Sequence, residues 1–213
     1  MARRKKTHFN NIFAFDVETT GVCVGNNDPL YRESDGERHQ ALSWGLIIAD
    51  ADTLEPIEKK YIEVKWNDSS REQRIRDPEF GMYAEKIHGL TFDYLEENGI
   101  DEEDAVIEIA NLILKYWGTS SPLNCLGHNV HFDIRFLKDL LDRYDIDLRF
   151  SQRHVDSFAV GFTCWETYDS DELFDLVCGS TRKAHNSLDD IELTLESIRT
   201  TRNLFKAMLD GDK

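Results

Sequence analysis

The sequence predicts an α/β domain built on a mixed sheet, and three observations carry that expectation. Apolar, strand-like runs come first, at 11–18, 41–52 and 59–66. A long amphipathic helical pattern follows at 99–118. From there, short apolar runs alternate with helical ones to the end of the sequence. Such an order reads as an antiparallel meander followed by parallel strands separated by helices.

The first strand, NIFAFDVE, places Asn11, Phe13, Phe15 and Val17 on one face and Ile12, Ala14, Asp16 and Glu18 on the other. Two carboxylates thus lie side by side near the end of an otherwise apolar strand. Burying them without a cationic partner would cost several kcal/mol by order of magnitude. The second and third strands, ALSWGLIIADAD and KKYIEVKW, turn through Leu54-Glu55-Pro56, and residues 67–82 are polar and read as irregular. In GIDEEDAVIEIANLILKYWG, Asp101 and Asp104 can cap the start and Gly118 follows the end. Ala105, Val106, Ile109, Ile113 and Tyr116 share one face. PLNCLGHN is a short apolar strand, a helix is expected from 132 to 144, RHVDSFAVG is a further short strand or strand–helix junction, and a helix closes the chain over 187–208.

With 213 residues, 40% hydrophobic and 31% charged, the chain fits one soluble globular domain over 11–208, preceded by a basic tail at 1–10. The longest apolar run, ALSWGLIIA, is far short of the roughly 20 residues of a membrane helix, and the polar THFNN after ARRKK does not suit a signal peptide. Four scattered cysteines without a CxxC pair argue for reduced thiols and a cytoplasmic setting. The net charge is −16; without Arg3, Arg4, Lys5 and Lys6, 21 basic residues face 41 acidic ones, a balance of −20. Such a body cannot coat long nucleic acid, because that binding needs Lys and Arg to displace counterions, so any nucleic-acid contact is local to one site.

Two further acidic points follow. Asp133 falls in the first turn of its helix, with Leu137, Leu140 and Leu141 beneath it, so it points toward the core; a helix-dipole or capping role is the plain alternative. In AHNSLDDIELTLESI, the stripe Leu188, Ile191, Leu195 and Ile198 leaves Asp190 slightly better placed than Asp189 to look inward, and Ser187 has the spacing to form a capping box with Asp190. His185 precedes that helix on a loop.

Taken together, FDVETTG, HNVHFD and HNSLDD, with AEKIHGLT around His88 between the first two, resemble the motifs of the DEDDh 3′→5′ exonucleases of the ribonuclease-H-like superfamily, the group of ribonuclease T, oligoribonuclease and polymerase proofreading exonucleases. The resemblance covers about 11–205. It implies a five-stranded mixed sheet flanked by helices, and metal-dependent release of nucleoside 5′-monophosphates from single-stranded 3′ ends, with DNA favoured and RNA trimming the alternative. A catalytically silent end-binding or assembly subunit is the reading from another class. The resemblance makes Asp16, Glu18, Asp133 and Asp190 ligands of two Mg²⁺ ions, replaceable by Mn²⁺, which balance the four negative charges and clamp an in-line displacement at phosphorus. It makes His185 the general base for the attacking water. Thr19, Thr20, Ile87, His88 and Asn129 are the implied substrate contacts, and Asp156 a structural support. Arg71, Arg74, Arg76, Lys86 and the basic tail are candidate phosphate grips. Relatives act as homodimers, and a polymerase or repair partner is the other expected assembly. The sequence departs from the pattern at 21–41, a longer link than usual and a candidate rim or docking surface, and in the aromatic stretch GFTCWETY before the third motif.

Overall fold

A computed structural model describes residues 10–24, 38–179 and 185–211. The basic tail, most of the 21–41 link and residues 180–184 lie outside the described residues.

The sheet has five strands: β1 (Asn11–Thr19), β2 (Ala41–Asp50), β3 (Pro56–Glu63), β4 (Cys125–Gly127) and β5 (Val155–Asp156). Their order is β3-β2-β1-β4-β5, with β1, β2 and β3 antiparallel and β4 and β5 parallel to β1. Eight α-helices accompany it among the described residues. They are α1 (Asp68–Arg76), α2 (Met82–His88), α3 (Phe92–Asn98), α4 (Glu102–Trp117), α5 (His131–Arg143), α6 (Ser157–Val160), α7 (Ser170–Cys178) and α8 (Ser187–Gly211). A π-helical turn, Gly161–Trp165, follows α6.

The period-2 alternation of β1 feeds two cores. Phe13, Phe15 and Val17 join Trp44, Leu46 and Ile48 of β2 and the apolar stripes of α4 and α5. Ile12 and Ala14, with Ile47, Ala49 and Leu126, pack under Ile191, Leu195 and Ile198 of α8. The central strand is therefore buried on both sides, which is why it reads as a nearly continuous apolar run. Asp16 and Glu18 continue the face that α8 covers. β4 pairs with β1 only at Phe13 and Ala14, so the chains diverge beyond that point, at the carboxyl ends of the parallel strands. Such a fork is where open α/β sheets present their sites.

One expectation fails. Residues 68–76 are helical, not irregular. The apolar period that announces most helices is absent because the residues α1 buries are Ser70 and Gln73. Polar contacts to distant segments hold it instead. The Asn67 side chain accepts from Ser70 N–H (2.9 Å), Gln73 exchanges bonds with the Arg38 backbone (3.1 and 3.0 Å), and Arg71 grips both Glu96 oxygens (2.6 and 2.8 Å). A third apolar cluster, Leu42, Trp66, Phe80, Leu90 and Leu95, anchors this lobe.

No helix among the described residues is long and apolar enough to cross a membrane. All four cysteines are free thiols.

Candidate active site

Glu18 ends the apolar stretch of β1, and α8 descends onto the sheet beside it. The cause is local. Gly45 of β2 pairs with Asp16, and a Cβ there would lie 2.1 Å from the Ser187 carbonyl oxygen. The missing side chain lets the first turn of α8 rest directly on the strand. Ser43, paired with Glu18, bonds Ser187 hydroxyl to hydroxyl at 2.9 Å, and both side chains are fully buried.

That contact removes Ser187 from the capping role its spacing suggested. Asn186 caps the helix instead, its Oδ1 accepting from Leu188 and Asp189 N–H (3.0 and 3.2 Å). With the helix so seated, Asp190 is 4% exposed and faces inward, whereas Asp189 lies in solvent. His185 stands at the same junction.

Among the described residues, one group can hold a metal ion: Glu18, His185 and Asp190, whose donor atoms lie within 4.8 Å of one another. Asp16 shares their face of the sheet by strand alternation but is not in that group, and neither is Asp133.

Asp133 arrives from the opposite side, on the first turn of α5. Its Oδ1 accepts the Val17 N–H at 3.2 Å, the backbone donor that β4 leaves open when it diverges. Burial drives this carboxyl well above its ordinary pKa, and the charges of Glu18 and Asp156 push the same way against the backbone bonds. The carboxylate is thus within the field of Glu18.

Asp156 shapes the turn that delivers it. Its two oxygens accept from Asn129 (2.9 Å), Val130 (3.2 Å) and Phe158 N–H (3.0 Å), clipping β5 to the β4–α5 corner. Asn129 takes φ 54° there, a left-handed turn that Asn tolerates better than most residues. Its side chain is exposed.

The other expected substrate contacts divide. Ile87 is exposed at 41%, and His88 is half-buried. Leu90 N–H donates to His88 Nδ1 (3.0 Å), so Nε2 carries the proton and donates to the Thr19 carbonyl (3.2 Å). Burial lowers the His88 pKa, and the neighbouring His185 lowers it further. Thr19 and Thr20 are buried and their hydroxyls are occupied within the protein. Thr19 donates to the Gly21 carbonyl (2.7 Å), and Thr20 accepts from Gln40 N–H (3.0 Å) while bonding His39 Nδ1 (3.1 Å). His39 stacks on Phe80 at 4.8 Å, and burial pushes its pKa down to about 4.

Arg71 and Arg74 lie over Phe92 and Trp66 and pair with Glu96 and Glu85, so their charge is largely spent inside the protein. Arg76 and Lys86 are exposed. The aromatic stretch forms an exposed row in which Tyr168 contacts Phe158 (5.4 Å) and Phe162 (4.8 Å), while Trp165 is tied to Thr201 of α8 (2.9 Å).

Sequence reasoning missed the seat of α8. A signal was present: in ALSWGLIIA, Ser43 and Gly45 are the small residues of one strand face, opposite Leu42, Trp44 and Leu46. Small residues in a strand mark close approach of another backbone.

The sheet order β3-β2-β1-β4-β5 and the helices that flank it define a ribonuclease-H-like α/β fold. Among solved structures, the chain is similar to E. coli exonuclease I in complex with a 5cy-dT13 oligonucleotide (TM-score 0.65, 16% identity, 95% of this chain and 43% of that one). It is similar also to the zinc-bound E. coli exonuclease I–ssDNA complex (0.69, 16%, 95% and 42%). The nuclease domain of 3'hExo, a DEDDh family member bound to rAMP, matches over 95% of both chains (0.62, 11% identity). The chain therefore spans less than half of the exonuclease I chains and nearly all of the 3'hExo domain. No family model matches this sequence, and no curated protein does.

Proposed function

We propose that the chain is a divalent-metal-dependent 3′→5′ exonuclease that acts on single-stranded nucleic acid, with DNA the favoured polymer. The observation that carries this reading is the convergence of Glu18, His185 and Asp190 within 4.8 Å, on the sheet face that also holds Asp16.

The donor set suits Mg²⁺ or Mn²⁺, hard cations that prefer carboxylate oxygen. Asp133 offers a second reason for the fit. Its carboxyl is buried beside two like charges, and a bound cation would relieve that cost. Asp16, Glu18, Asp133 and Asp190 would hold two ions, which supply charge stabilisation at the phosphoryl oxygens and orient the nucleophile.

The protein's own groups do the rest. His185 takes the proton of the attacking water on a ring nitrogen, the general-base role for which an imidazole is most often used. The bond between phosphorus and the upstream 3′ oxygen breaks, and the terminal residue leaves as a nucleoside 5′-monophosphate. Exposed Ile87 and half-buried His88 would contact the terminal base or sugar. Asn129 presents its side chain at the β4–α5 corner. The likeness to exonuclease I structures holding dT oligonucleotides favours DNA. The rAMP complex of the 3'hExo domain, matched over 95% of its length, supports RNA as the second reading.

The test is a time course on 5′-labelled DNA and RNA oligomers of one sequence, with Mg²⁺ and with chelator. A ladder shrinking from the 3′ end only with metal is expected, faster on DNA. His185→Ala should lower turnover by about 10²–10⁴. A folded, metal-binding protein that cuts neither polymer would leave an end-binding or assembly role in its place.

A further inference from the structure

Beneath the start of α8, Ser43 Oγ of β2 lies 2.9 Å from Ser187 Oγ. Further out on the same sheet face, Glu63 of β3 accepts from Tyr61 OH (3.0 Å) and from Tyr94 OH (2.9 Å). A carboxylate only accepts, so both tyrosines donate.

The strand register places both groups against the site. Glu18 pairs with Ser43, which pairs with Glu63; Asp16 pairs with Gly45, which pairs with Tyr61. The two rows run from the carboxylates of β1 straight across to Tyr61 and Glu63. Ser187 stands two residues after His185 and three before Asp190. The distance between the carboxylates of β1 and the side chains of α8 is thus fixed by one hydroxyl pair over one glycine.

We propose that Ser43 is a positioning residue that holds the start of α8 in the register the metal site needs, acting through Ser187 on His185 and Asp190. It does not touch the substrate. This inference rests on the metal reading of the site. It differs from a merely structural role in its consequence: loss of a link should move the donor atoms relative to one another and weaken cation binding, not only lower the melting temperature. Partners that orient metal ligands are typically worth 10–100-fold in affinity or activity.

The experiment is isothermal titration of the folded protein with Mn²⁺, without substrate, for the wild type, Ser43→Ala and Ser187→Ala. Ile109→Val, in the core on the opposite sheet face, controls for destabilisation alone. A Kd raised about tenfold or more in both hydroxyl variants, with Ile109→Val unchanged, is expected. Affinities within twofold of wild type in whichever hydroxyl variants fold, or an equal loss in Ile109→Val, would overturn the positioning role while leaving the nuclease reading intact. A wild type that binds no Mn²⁺ would overturn both.

Discussion

Gly45→Ala tests whether the seat of α8 sets the geometry of the site. The added methyl would lie 2.1 Å from the Ser187 oxygen, 2.2 Å from its carbonyl carbon and 2.4 Å from Leu188 nitrogen. All three are backbone atoms, so no rotamer change relieves the clash. Reaching ordinary contact at 3.4 Å requires the first turn of α8 to lift by about 1.3 Å. Asp190, one turn further on, must move with it, away from Glu18. A misplacement of about 1 Å costs on the order of 10²-fold in rate, or about 2.7 kcal/mol of transition-state stabilisation. Overpacking should cost about 1–3 kcal/mol of stability, which a domain of this size survives. The assay is turnover of a 5′-labelled oligonucleotide, with a thermal melt on the same sample. Gly179→Ala is the control. It has φ 61° and open space around its Cβ position, so it should lose stability without losing rate. A folded Gly45→Ala within about threefold of the wild-type rate would refute the argument.

Other substitutions probe the remaining parts. Asp190→Ala should abolish turnover and Asp189→Ala should leave it nearly unchanged, because one carboxylate is buried at the site and the other is in solvent; the reverse order in a steady-state assay would reassign the ligand. Asp133→Asn should stop catalysis yet raise stability in chelator at neutral pH, since a raised carboxyl pKa means the charged form is held at a cost. That gain should fade as pH falls and the wild-type carboxyl protonates, which urea melts at several pH values would reveal. His39 is neutral in the fold down to about 4, while the unfolded chain takes up a proton below 6.5. Its contribution is therefore present above 6.5 and lost as pH falls toward 4, by at most about 3 kcal/mol. His39→Gln should flatten the stability curve across that window, and an unchanged slope would show that His39 does not set it.

Much of the architecture was written in local pattern. β1, α4, α5 and α8 announce themselves by period, and the acidic positions stand out because carboxylates interrupt apolar runs at Asp16, Glu18 and Asp133. Periodicity alone brought Asp190 close to the right face. The lobe formed by α1, α2 and α3 was illegible for the opposite reason: α1 buries serine and glutamine, so no apolar stripe marks it. The substrate-facing roles first assigned to Thr19 and Thr20 are tempered by bonds that sequence cannot display.

By itself the sequence determined which residues are chemically able to gather a divalent cation, and which faces of their strands and helices they occupy. Only the tertiary structure decided how they meet. Ser43 and Ser187 are 144 residues apart, and their bond, like the contact of Gly45 with the same turn, belongs to no local pattern. Nor does the bond from Val17 to Asp133, across 116 residues. Local propensity decides what a segment becomes; the distance between two carboxylates is set by packing between segments that the chain brings together last.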